Sequence, residues 1–227
     1  MKTKIYNLII LDESGSMQSA ATATINGCNE TINVIRAAQE AAPDTQEHFL
    51  SIFAFQSGAS VPSRYIVKNV PAAAAVPVTA GEYRPLGMTP LYDAIGSTLT
   101  DLKISTDAHE HAIGAVTIIT DGYENASRNY TGPQIAKMIA GLKELGWNFN
   151  FIGANIDVEK VAAQMNITNH MTYTSDSQGT KMMFEKESRS RMAYYNRVSQ
   201  AMAEPECDGA PSFSERMKEA SEDYFNE

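Results

Sequence analysis

Cysteine is scarce in this 227-residue chain: there are two, Cys28 and Cys207. Two cysteines make no disulfide framework. Cys28 falls on an apolar stripe and Cys207 in a polar stretch, so both read as free thiols of a reducing compartment. Long apolar runs are also missing. Nothing approaches the roughly 20 apolar residues of a membrane span. The run Ile5 to Leu11 is broken by Asn7 and ended by Asp12, too short for a secretory signal, and a cytoplasmic location is expected. Basic residues are few, 18 Lys and Arg against 27 Asp and Glu, for a net charge of −9. That balance argues against nucleic acid and membrane as partners, because both demand a basic footprint. There is no Gly-x-x-x-x-Gly-Lys-Ser/Thr phosphate loop and no Gly-x-Ser-x-Gly elbow of a serine hydrolase.

What is present is a packed globular composition, 43% hydrophobic and 20% charged, long enough for one large α/β domain. Strand and helix signals alternate along it, the pattern of a doubly wound sheet. Lys4 to Leu11 is a near-continuous apolar run, as a central buried strand should be. Ile25, Cys28, Ile32 and Ile35 follow at helical spacing. His48 to Phe55 is a second strand, and Arg64 to Val70, flanked by Pro62 and Pro71, a shorter third suited to an edge. A helix begins at Pro90 with Leu91, Ile95, Leu99 and Leu102 inward. Ala115 to Thr120 is a buried strand halted at Asp121-Gly122. A helix carrying Ile135, Ile139, Leu142 and Leu145 stops at Gly146. Asn148 to Ala154 and His170 to Thr174 are two more strands around a short helix, Val158 to Met165. A last helix is expected from about Gly179 to Ala203, though Glu185 to Arg191 is polar throughout. The expected fold is therefore a mostly parallel, Rossmann-like sheet of six strands with one antiparallel edge strand and helices on both faces. It occupies residues 1–203. Residues 204–227 read as an acidic tail holding eight acids against Arg216 and Lys218, expected to add little to the core.

Three loops concentrate chemistry. Asp12-Glu13-Ser14-Gly15-Ser16 follows the first strand, with a carboxylate and two hydroxyls at alternate positions and Gly15 expected to permit a tight turn. Gly87-Met88-Thr89-Pro90 precedes a helix, and Asp121-Gly122 ends the fourth strand. In open α/β sheets ligands bind beyond the carboxyl ends of the strands, where strand order reverses. With order 3-2-1-4-5-6, Asp12 and Asp121 face one crevice, and two carboxylates that close repel unless a cation sits between them. Two carboxylates and three hydroxyls form an all-oxygen set for a hard divalent cation. The absence of His and Cys from these loops disfavours zinc.

Asp-x-Ser-x-Ser after a first apolar strand, a distant Thr in Gly-x-Thr-Pro and a later Thr-Asp-Gly together resemble the von Willebrand factor type A domain, whose relatives include the integrin inserted domains. The resemblance spans roughly residues 4–203. The stretch Thr120 to Asn125 looks closer to bacterial and intracellular members. It implies a metal-ion-dependent adhesion site made of Asp12, Ser14, Ser16, Thr89 and Asp121. It further implies Mg²⁺ (or Mn²⁺, with Ca²⁺ less favoured), serines on the ion, one or both aspartates acting through water, and a protein partner whose acidic side chain completes the shell. No catalysis is implied.

Plainer readings exist for each residue. Thr89 before Pro90 also reads as a helix N-cap, and Asp121-Gly122 as an ordinary strand-ending turn. Glu13 and Glu124 read as rim charges, and Met17, Tyr83, Met88 and Tyr123 as the rim of a contact surface. Two alternatives to metal-dependent adhesion stay open: an Mg²⁺-dependent phosphatase-like hydrolase with Asp12 as nucleophile, which lacks the expected second Asp and Lys, and a scaffold with a vestigial metal site.

Overall fold

The computed structural model describes residues 2–58, 61–203 and 209–226. Cys207 lies outside them, as do Glu204, Glu206, Asp208 and Glu227. In chain order the elements are β1 (Thr3–Asp12), α1 (Ala21–Ala41), β2 (Gln46–Phe55), β3 (Arg64–Pro71), α2 (Leu91–Thr106), β4 (Ala112–Thr120), α3 (Gly132–Glu144), β5 (Asn148–Gly153), α4 (Val158–Gln164), β6 (Asn169–Thr172), α5 (Ser177–Ala203) and α6 (Phe213–Ala220). Short 3-10 turns cover Gly15–Ala20 and Ala72–Ala74.

The residues of β1 divide between two apolar layers. Ile5, Ile9 and Leu11 join one, Tyr6, Leu8 and Ile10 the other. A strand buried on both faces belongs at the centre of a sheet clad on both sides, and β1 sits there. The strand order is β3-β2-β1-β4-β5-β6. β1 pairs parallel with β2 and β4, β4 with β5 and β5 with β6, while β3 runs antiparallel to β2 at the edge. Helices α1, α5 and α6 contribute to the first layer, and α2, α3 and α4 to the second. The chain leaves β1 toward β2 and later enters β4 on its other side, so the reversal of strand order falls between β1 and β4. β4 starts earlier than its apolar run indicates, because Ala112, Ile113 and Gly114 pair with Lys4, Ile5 and Tyr6.

The polar middle of α5 is helical for a reason that hydrophobic periodicity does not reveal. Glu187 and Arg191, one turn apart, face inward, each 1% exposed. Arg191 donates through Nε (2.8 Å) and Nη2 (2.5 Å) to Glu187 Oε1, and Nη2 also reaches Thr117 Oγ1 on β4 at 2.9 Å. Arg191 Nη1 donates to Tyr195 OH, which donates to Asn7 Oδ1 on β1 at 2.6 Å. All three guanidinium nitrogens of Arg191 are thereby bonded, whereas Glu187 Oε2 is buried without a partner among the described residues; a buried ion pair stands or falls with such bonds, and these fix α5 in register against the sheet.

The segment after residue 208 departs from the sequence expectation that it adds little to the core. Ser212 caps α6 with a reciprocal bond to Glu215, and Met217, Ala220, Tyr224 and Phe225 are buried in the same layer as α1 and α5. Acidic residues occupy the outer positions, which hid a helical apolar face of few residues. Gly146 helps seat it. At φ 85° it takes the left-handed turn that ends α3, and a Cβ there would stand 2.6 Å from Met217 Cβ. Met217→Ala is therefore expected to lower the unfolding free energy by about 2–4 kcal/mol, as for other buried Met truncations. Urea denaturation checks this, and an unchanged midpoint would show that α6 does not stabilise the domain.

Candidate metal centre

The switch point between β1 and β4 places two carboxylates at adjacent strand ends. Leu11 pairs with Ile119, so Asp12 emerges beside Thr120 and Asp121. Asp12 is fully buried. Its Oδ2 accepts from Thr120 Oγ1 at 2.6 Å and its Oδ1 from the Ser14 amide at 2.7 Å. From there hydroxyls link the two acids: Ser14 Oγ lies 3.1 Å from Ser16 Oγ, and Ser16 Oγ donates to Asp121 Oδ1 at 2.5 Å. Asp121 Oδ2 accepts from Ser175 Oγ, just beyond β6, at 2.9 Å. Thr89 comes to the same place from the second loop. Its Oγ1 would lie 3.3 Å from a Cβ at Gly122. The first strand, the loop before α2 and the end of β4 thus bring Asp12, Ser14, Ser16, Thr89 and Asp121 to one crevice.

Thr89 does not cap α2. The cap position is Pro90 with no side-chain bond, and the first free amides are met elsewhere: Tyr92 N by Glu124 Oε2 at 2.9 Å and Asp93 N by Ser127 Oγ at 2.9 Å. Thr89 is instead clamped through its backbone, its N–H donating to Asn125 Oδ1 at 2.9 Å and its C=O accepting from Asn125 N at 3.1 Å.

The loops are braced from beneath by residues read differently in the sequence. Glu13 is fully buried rather than a rim charge. Its carboxylate accepts from Arg64 through both guanidinium arms, at 2.6 and 3.0 Å, and from Gln56 Nε2 and the Arg84 amide. The mainchain of the first loop then bonds the second, Leu86 N to Glu13 O at 2.8 Å and Gly15 N to Gly87 O at 3.1 Å. The left-handed turn falls at Gly87, φ 86°, and not at Gly15. Met17 and Tyr83 are buried, at 0% and 2% exposure, so neither belongs to a rim. The 3-10 turn after Ser14 rotates Met17 inward, and Tyr83 OH donates to Asp12 O at 2.7 Å. Glu124, partly buried, accepts from the amides of Ala126 and Ser127 as well as Tyr92. Thr120 and Ser175 were not singled out from sequence. The signal for Thr120 was its place beside Asp121, and for Ser175 its place just after a strand at the same sheet end. Exposed around the crevice are Leu86 (56%), Met88 (48%) and Tyr123 (54%).

Burial raises the Asp12 carboxyl from 3.8 to about 6, with the charge of Asp121 adding to the effect and the Thr120 and Ser14 bonds opposing it. Its hydrogen-bond donors are a hydroxyl and an amide, both neutral. A buried carboxylate beside a second acid, with no basic partner among the described residues, fits a cation. Among the described residues no three His, Cys, Asp or Glu side chains gather as a metal-binding group, so any cation here relies on hydroxyls. The 3.1 Å spacing of the two serine oxygens is close to the roughly 3 Å edge of an octahedron with 2.1 Å metal–oxygen bonds. The residues fit a hard divalent ion.

The sign of the pH dependence follows. Without a cation, the folded state holds the Asp12 proton more tightly than the unfolded chain between pH 3.8 and about 6. Stability is then lost as pH rises through that window, by about 3 kcal/mol in all. In chelator, the melting temperature of the wild type is expected to fall relative to Asp12→Asn between pH 4 and 7. Parallel curves for the two proteins would show that Asp12 is not the strained carboxylate.

Comparison by sequence finds no matching family model and no matching curated protein. Comparison of structures does find neighbours. A von Willebrand factor type A protein from Catenulispora acidiphila aligns with TM-score 0.59 at 19% identity, over 84% of this chain and 43% of that one. The pilus adhesin SpaC from Lactobacillus rhamnosus GG aligns with TM-score 0.58 at 14% identity, over 86% of this chain and 31% of that one. Proximal thread matrix protein 1 from the mussel byssus, described with a zinc-occupied MIDAS motif, aligns with TM-score 0.56 at 13% identity, over 81% and 47%. The chain thus spans less than half the length of each of these neighbours. At such identities the likeness shows the fold alone: a mixed six-stranded α/β sheet of the von Willebrand factor type A kind.

Proposed function

We propose that this chain is a divalent-cation-dependent protein-interaction module and not an enzyme. In this reading Asp12, Ser14, Ser16, Thr89 and Asp121 hold one Mg²⁺ or Mn²⁺, and an acidic side chain of a protein partner completes the shell. The observation that carries it is the linked set Asp12–Ser14–Ser16–Asp121 at the sheet's switch point, with a buried carboxylate that has no basic partner among the described residues. The bound ion would supply a strong local positive charge to which a carboxylate can bond. The chain's own residues do the rest. Neutral hydroxyls from Ser14, Ser16 and Thr89 leave most of that charge uncancelled. Ser175 and Thr120 hold the two carboxylates in place, and the Glu13–Arg64 pair keeps the first loop from collapsing into the crevice.

Leu86, Met88 and Tyr123 support the interaction reading. Exposed large apolar side chains gathered around one site mark contact surfaces, and such anchors carry much of the energy in protein interfaces. Neighbours in fold include an adhesin and a protein with a metal-occupied site, which is consistent with this reading. The hydrolase alternative gains no observation of its own: Asp12 is buried beneath Ser14 and Thr120, a poor position for an attacking nucleophile.

The test is capture of partners from a lysate by immobilised protein in Mg²⁺, in EDTA, and in EDTA with Mg²⁺ restored. Binding should vanish and return. Ser14→Ala and Thr89→Ala should each weaken it at least tenfold while the far-UV spectrum stays unchanged: both side chains are buried, but the bonds from the Ser14 amide, Thr120 and Ser16 to the two carboxylates remain in either variant. Partners retained undiminished in EDTA would contradict the reading.

A further inference from the structure

Beside the candidate centre lies a second concavity, a cleft of about 690 Å³ between the end of β2, the start of α2 and the loop from Asn125 to Tyr130. It adjoins the centre directly. Met88 and Pro90, on either side of Thr89, line it, as does Asn125, whose side chain holds the Thr89 amide. Its charges are unequally engaged. The one carboxylate in the wall, Asp93, accepts from the amides of Arg128, Asn129 and Tyr130 at 2.8–2.9 Å and from Asn129 Nδ2 at 3.2 Å. Arg128, the one basic residue in the wall, is exposed, and its guanidinium has no ion-pair or hydrogen-bond partner among the described residues. Deeper in the wall, Gln56 Oε1 and Ser57 Oγ are buried without hydrogen-bond partners among the described residues, and Gln56 is only 2% exposed.

We propose that this cleft is a second subsite of the same binding face, taking another acidic side chain of the partner, close in sequence to the one at the cation. The inference rests on the cation-dependent reading above. Arg128 provides the counter-charge: a guanidinium presents paired N–H donors that match a carboxylate. The apolar part of the wall, Phe53, Met88 and Tyr130, suits the aliphatic stem of a glutamate. Asp93 stays ionised, but its oxygens are taken up by the amides of Arg128, Asn129 and Tyr130, so the unengaged charge in the wall is that of Arg128. The partner is thus a segment carrying at least two acids, not a single isolated one.

The experiment uses the full chain with Mg²⁺ and fluorescent Gly/Ser peptides carrying one glutamate, or two glutamates separated by zero to three residues. Anisotropy should show at least one two-glutamate peptide binding at least tenfold tighter than the single-glutamate peptide. Arg128→Gln should remove that ratio, and Arg128→Lys should restore part of it. Equal affinity for one and two glutamates, or a ratio unchanged in Arg128→Gln, overturns the subsite. EDTA separates the two claims. Arg128-dependent discrimination that persists in EDTA contradicts the cation reading and upholds the subsite, whereas binding of no peptide at millimolar concentration overturns both.

Discussion

The site depends on a carboxylate placed where water cannot reach it. Asp12 ends a central strand buried on both faces, and its neighbour across the strand gap leads directly into Asp121. Ionising a buried group of this kind costs energy unless an opposite charge approaches, and here the nearest side chains offer only hydroxyls and amides. The fold thus stores a local conflict at its switch point. Conflicts of that kind are expected at functional sites, where local preference yields to a ligand. In the proposed reading, a hard cation resolves it with the oxygen set already in place.

Around this point the protein removes alternatives. Every nearby acid other than Asp12 and Asp121 is occupied by the chain's own donors: Glu13 by Arg64, Gln56 and an amide, Asp93 and Glu124 by three amides each. These bonds hold the loops that carry Ser14, Thr89 and Asp121 in a fixed relation, so that little ordering remains for a ligand to impose. Under α5, the Glu187–Arg191 pair plays a comparable part for the scaffold, tying α5 to β1 and β4 through Asn7 and Thr117. Breaking either arrangement leaves a buried charge unmatched, a loss typically of several kcal/mol.

Much of this is legible in the sequence, and the exceptions share a cause. While β5 alternates buried Asn148 and Asn150 with Phe149 and Phe151, apolar runs mark β1, β2 and β4 because strands clad on both faces are mostly apolar. The helical spacing of Ile25, Cys28, Ile32 and Ile35 marks α1 for the same reason. The order of the strands and the place of the three loops follow from the alternation of these elements. Periodicity fails where polar groups satisfy one another inside. Glu187 and Arg191 make α5 look solvent-exposed, and Glu13 looks like a surface acid until Arg64 is seen to reach it from β3. The buried face of α6 was masked by the acids around it. Met17 and Tyr83 sit in surface loops and so read as surface residues, while a 3-10 turn and a hydroxyl bond to Asp12 carry them inward. Ser175 lies 54 residues from Asp121, and no local pattern links the two.

The most direct test of the central claim is anomalous X-ray diffraction from crystals of this chain grown with Mn²⁺. The account predicts one strong anomalous peak per chain, within about 2.2 Å of the Ser14 and Ser16 side-chain oxygens, and its loss in Ser14→Ala. Well-ordered crystals at millimolar Mn²⁺ with no peak in that crevice, or with the peak on a different set of side chains, would contradict it.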